Sequence, residues 1–66
     1  MELTINGEHR TFAPGVTLEA ILQELKIIDK VMACAVNMEI IKKEAWGGYT
    51  PNDKDRVELL HFVGGG

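Results

Sequence analysis

Residues 56–66 read RVELLHFVGGG, an apolar strand that runs straight into three glycines. Val57 and Leu59 fall on one side of that strand, and Leu60 and Phe62 fall on the other. This two-residue period suits a strand whose two faces meet different surroundings. Strands that meet glycine usually turn and come back. Here the sequence offers only the glycines after the strand, so the question is which upstream segments could pair with it.

Upstream, Met1 to Asn6 alternates, with Leu3 and Ile5 on one face and Glu2 and Thr4 on the other. Asn6-Gly7 follows, a strong hairpin signal because both residues tolerate positive φ. The return strand is expected from about His9 to Ala13, with Phe12 turned inward and Pro14-Gly15 ending it. Thr17 offers an N-cap hydroxyl, and Glu19 suits the positive end of a helix. Leu18, Ile21, Leu22 and Leu25 make one apolar stripe, which predicts a helix over Leu18 to Lys26. Met32 to Asn37 reads as a third strand, Asn37-Met38-Glu39 as a turn, and Ile40-Ile41 as a brief fourth strand. Glu44-Ala45-Trp46 fits a single helical turn, and Pro51-Asn52-Asp53 another turn.

One helix can cover one face of a four- or five-stranded sheet, and little remains to cover the other. The expected architecture is therefore α+β: a β-grasp domain over residues 1–63, with a mixed sheet, one main helix and one open face. Residues 64–66 are expected to form a flexible glycine tail. Leu3, Ile5, Ile21, Leu22, Leu25, Val57 and Leu59 should form the main buried set. Cys34 and Val36 should point inward, and Ala33 and Ala35 outward. Trp46 and Tyr49 are expected to form a satellite cluster under the long loop.

Composition narrows the functions. The chain has 66 residues, ten acidic against seven basic side chains, and a formal charge of −3. A nucleic-acid ligand would need a basic stripe, and only Lys42-Lys43 is even a dipeptide of that kind. Cys34 is the single cysteine, so no internal disulfide can form, which suits a reducing compartment. No apolar run approaches a membrane span, and a cytoplasmic location is expected. His9 and His61 have no ligand-forming neighbours at metal spacing, and Gly47-Gly48 lacks the Lys-Ser/Thr of a phosphate loop. Cys34 reads as a buried thiol. No acid, base and nucleophile set is discernible, so neither an enzyme nor a bound cofactor is expected.

The segments ACAVNMEIIKKEAW (residues 33–46) and DKDRVELLHFVGGG (residues 53–66) resemble the ThiS family of sulfur carriers of thiamin biosynthesis. The resemblance extends over the whole chain: a strand and tight turn, a Thr-led helix, an Ala-Val-Asn strand, a Trp-bearing loop and a strand closing on glycines. It differs where Lys42-Lys43 stands for the frequent Pro-Arg, and where Lys54-Asp55 stands for Gly-Asp. At the second place Asn52 or Asp53 is expected to take the positive φ.

The resemblance implies a carrier whose Gly66 carboxylate is adenylated and converted to a thiocarboxylate, with Gly64 and Gly65 threading into a partner's site. It implies a ThiF-like adenylyltransferase, a ThiG-like thiazole synthase and a persulfide sulfur donor as partners, and a free monomer. Leu60, Phe62 and Ala35 are expected to line the partner interface, with Asp55 and Glu58 at its rim. The alternatives are a carrier like the small subunit of molybdopterin synthase and a non-conjugating β-grasp binding module.

Overall fold

The computed structural model describes residues 1–61. Five strands and one α-helix follow one another as β1 (Glu2–Ile5), β2 (Glu8–Thr11), α1 (Leu18–Glu24), β3 (Val31–Val36), β4 (Glu39–Ile41) and β5 (Arg56–His61), with a 3-10 helix over Lys43–Gly48. The sheet order is β2-β1-β5-β3-β4. β1 and β5 run parallel at its centre, and the other pairings are antiparallel. A mixed sheet with its first and last strands adjacent and one helix across it is the β-grasp arrangement expected above.

Both hairpins turn on two residues of positive φ. Asn6 (49°) and Gly7 (85°) join β1 to β2, and Asn37 (51°) and Met38 (71°) join β3 to β4. Two consecutive left-handed residues match the right-handed twist of the flanking strands, which is why Asn-Gly is favoured there. The return strand is shorter than expected, and Phe12 lies just beyond it. It is still buried, because its N–H donates to the Met1 carbonyl at 2.8 Å and carries the chain back over the core.

Thr17 caps the helix as expected, its Oγ1 accepting from the Ala20 N–H at 3.1 Å. The helix ends before Lys26. Lys26 adopts a φ of 61°, its N–H donates to the Gln23 carbonyl, and the Ile27 N–H reaches back to the Leu22 carbonyl. This is a Schellman ending with lysine where glycine is usual. Leu25 is therefore the C-cap and only half buried.

The core forms one cluster between sheet and helix. Leu3, Ile5, Cys34, Val36, Val57 and Leu59 from the strands meet Leu18, Ile21 and Leu22 from α1. Trp46 corrects the expected satellite: it is 2% exposed and belongs to this main cluster. Its indole N–H donates to the Ile41 carbonyl at 2.9 Å, which satisfies the one polar atom the ring would otherwise bury unpaired. Tyr49 packs against the same cluster, half buried.

The turn before β5 departs from expectation too. The Asp55 N–H closes it on the Asn52 carbonyl at 3.0 Å, and the positive φ falls on Lys54 (74°) rather than on Asn52 or Asp53. Asp55, half buried, is tied into this turn. Its carboxylate accepts from the Asn52 N–H at 2.8 Å and from Asn37 Nδ2 at 2.9 Å, so it holds the turn.

Candidate functional site on the open sheet face

The sheet face away from α1 is built by alternation in β5, β3 and β4. Ala33 pairs with Leu60, Ala35 with Glu58, and Ala35 also with Ile40 on its other side. Their odd-even neighbours Cys34, Val57, Leu59 and Ile41 are buried under the helix, so these five point the other way. Leu60 is 63% exposed, while Ala33 and Ala35 are half buried between larger neighbours. The small alanines leave a shallow depression of about 310 Å³ walled by Ile40, Glu58 and Leu60.

Two residues of this face escape a simple alternation reading. Ile40 is exposed because its partner in the apolar pair, Ile41, takes the buried position. Met32 is exposed because β3 carries an irregularity: Val31 pairs with His61 and Ala33 with Leu60, so Met32 is an extra residue without a partner on β5. Such a bulge puts two successive side chains on one face. No strand length signals it, since β3 and β5 are both six residues long.

The expected interface residues Leu60 and Ala35 thus share one face, which Glu58 borders. Phe62, Val63 and the glycines 64–66 lie outside the described residues. Cys34 sits beneath the alanines, and burial pushes its thiol up to about 11. The thiol is therefore protonated and unreactive at neutral pH.

The second half of β5 is held at Leu59 by a residue outside the expected set. Asn6 Oδ1 accepts from the Leu59 N–H at 2.7 Å, and Asn6 Nδ2 donates to the Leu59 carbonyl at 3.2 Å. At the start of β5, Asn37 has a similar place: its N–H donates to the Arg56 carbonyl, and its Oδ1 accepts from the Arg56 N–H at 3.0 Å. Both asparagines are at positive φ, which turns the backbone away and frees the side-chain amide to take its place.

The described fold and face define a small β-grasp domain with an uncovered apolar sheet surface beside its last strand. The family model described as the ThiS family matches residues 3–66, and the chain belongs to that family. It is 36% identical over 65 residues to the sulfur carrier protein ThiS of Bacillus subtilis, covering 97% of this chain and 98% of that protein. It is 41% identical over all 66 residues to a thiazole synthase of Paramagnetospirillum magneticum. The chain spans only 20% of that synthase's length. The crystal structure of a thiamine biosynthesis protein (ThiS) from Geobacter metallireducens superposes with a TM-score of 0.81 at 36% identity, each chain covered completely.

Proposed function

We propose that this chain is a cytoplasmic sulfur carrier of thiamin biosynthesis, a recycled substrate rather than a catalyst. The observation that carries the reading is the family match through residue 66, which takes in the glycines as well as the folded body. In this reading the Gly66 carboxylate attacks the α-phosphorus of ATP on a ThiF-like adenylyltransferase, and pyrophosphate leaves. A persulfide sulfur then displaces AMP from the acyl carbon, and a thiol reductant frees the thiocarboxylate. A ThiG-like thiazole synthase takes the sulfur. The thiazole synthases that contain a stretch similar to this whole chain support that last partner.

The chemistry suits the residues. A carboxylate is a poor electrophile until adenylation supplies a leaving group. Glycine leaves the reacting carbonyl unhindered, and Gly64 and Gly65 accept backbone conformations closed to other residues. Leu60, Ala35 and Phe62 would dock the partner while the tail reaches its site.

The test is ATP–pyrophosphate exchange with the adenylating enzyme, followed by the intact mass of a chain ending at Gly66. The expected product is heavier by one oxygen replaced with sulfur. Deleting Gly66 withdraws the carboxylate by about 3.3–3.6 Å and should abolish exchange while leaving thermal stability unchanged. Normal exchange by the shortened chain would overturn the reading.

A further inference from the structure

We infer that Asn6 is a positioning residue for the reaction at the tail: its side-chain amide anchors β5 at Leu59, two residues before the strand's last residue, His61. The inference rests on the carrier reading. Its physical basis lies in how β5 is held on each side.

On the β1 side, the parallel ladder runs through the Thr4 N–H on the Asp55 carbonyl at 3.1 Å and the Asn6 N–H on the Val57 carbonyl at 2.9 Å. The next rung would need the chain to continue past Asn6 beside Leu59. Instead the chain turns away at Asn6 and Gly7. A primary amide has the donor and acceptor of a peptide unit, and that of Asn6 supplies both to Leu59. The ladder is thereby extended by one rung without backbone.

On the β3 side, Leu59 lies opposite Cys34, with its N–H and C=O directed to Asn6. Beyond it the register shifts at Met32, between the pairs Ala33 with Leu60 and Val31 with His61. A bulge leaves its extra residue unpaired and loosens the local ladder. The Asn6 clamp at Leu59 therefore comes just before the stretch, Leu60 to His61, where the pairing of β5 with β3 loses its regular register. Removing it would let the strand's end reorient, and a positioned reaction does not tolerate that. Asn37 braces the opposite end of β5 and supplies a matched control.

The experiment uses Asn6→Gly, which keeps positive φ easy and deletes the clamp, beside Asn37→Gly, which loosens the far end of the strand. Amide hydrogen exchange at Leu59 and steady-state adenylation with the adenylating enzyme and ATP are measured for both and for wild type. For Asn6→Gly, Leu59 should exchange about tenfold faster. Its kcat should fall about tenfold, well beyond any rise in KM, because the terminus is displaced more than Leu60, which stays paired with Ala33. Asn37→Gly should keep the wild-type kcat. Equal kcat in Asn6→Gly and wild type, or an equal fall in both variants, would overturn the inference while the carrier reading stands. A wild-type chain that is never adenylated would overturn both.

Discussion

Leu59 and Leu60 are neighbours in β5, yet one is 9% exposed and the other 63%. The same contrast runs across the whole sheet. On the helix side Leu3, Ile5, Val36 and Val57 close against α1; on the other, Met32, Ile40 and Leu60 face solvent. Burying a large aliphatic side chain is worth about 1.5–3 kcal/mol, and the open face forgoes most of that for each of its three. A sequence shaped by stability alone would place polar β-formers there. The covered face is answerable to the fold, and the open face is where the docking proposed above would take place.

The strongest way to break the covered face is Leu22→Ala. Leu22 is fully buried at the centre of the helix stripe and also receives the Schellman hydrogen bond from Ile27. The truncation should cost about 2–5 kcal/mol, which in a domain this small approaches the whole stability. Thermal or urea unfolding measures it. A shift of only a few tenths would mean that the helix does not seat as described.

Cys34 gives a pH-dependent test of the same face. Its thiol is raised from 9.0 to about 11 by burial. Between these values the unfolded chain has lost a proton that the folded chain retains, so stability is fully present below pH 9 and declines as pH rises toward 11. At about 1.4 kcal/mol per pKa unit the loss approaches 2–3 kcal/mol. Urea midpoints at pH 8 and pH 11 should therefore diverge less in Cys34→Ala than in wild type. An equal divergence would show that the alkaline loss comes from other groups.

Most of the covered face could be read in advance because its signals are periodic. Leu18, Ile21 and Leu22 repeat at helical spacing, Leu3 and Ile5 at strand spacing, and Asn6-Gly7 is a turn in its own right. Trp46 was legible only as an aromatic in an aperiodic loop. Its place in the main core depends on a 3-10 turn and on the Ile41 carbonyl, which no spacing encodes. On the candidate interface, alternation placed Leu60 and Ala35, but Met32 needed the bulge. The Asn6 clamp was hidden because hairpin preference already accounted for that residue. Left-handed lysines were hidden for a similar reason: sequence reasoning assigns positive φ to Asn, Asp or Gly before Lys.

Lys54 makes that last point testable. A φ of 74° costs a lysine about 1–2 kcal/mol, and glycine avoids it at a penalty of roughly 0.5–1 kcal/mol in unfolded-chain entropy. The exposed pair between Lys54 Nζ and Glu2 Oε1 at 3.2 Å adds little. Lys54→Gly should therefore stabilise the fold by about 0.5 kcal/mol, seen as a higher unfolding midpoint. A lower midpoint would show that the side chain matters more than the strain.

The smallest effect on stability is expected where the functional effect is largest. Leu60 contributes little to the core, since its exposed side chain stands over Ala33 and beside Glu58 on the open face. Leu60→Asp should change the unfolding free energy by no more than about 0.5 kcal/mol, as surface substitutions usually do. The new carboxylate, next to Glu58, would however meet whatever docks in the depression over Ala33 and Ala35. An apolar anchor replaced by an unpaired charge in a desolvated contact is strongly unfavourable. Affinity for the adenylating enzyme or the thiazole synthase should fall at least about tenfold, read by titration calorimetry. Glu58→Ala supplies a comparison, because a rim charge alters association less than a buried anchor does. If Leu60→Asp unfolds the domain, the open face is part of the core and the contrast within β5 disappears. If it stays folded and binds both partners as tightly as wild type, the open face is not where they dock.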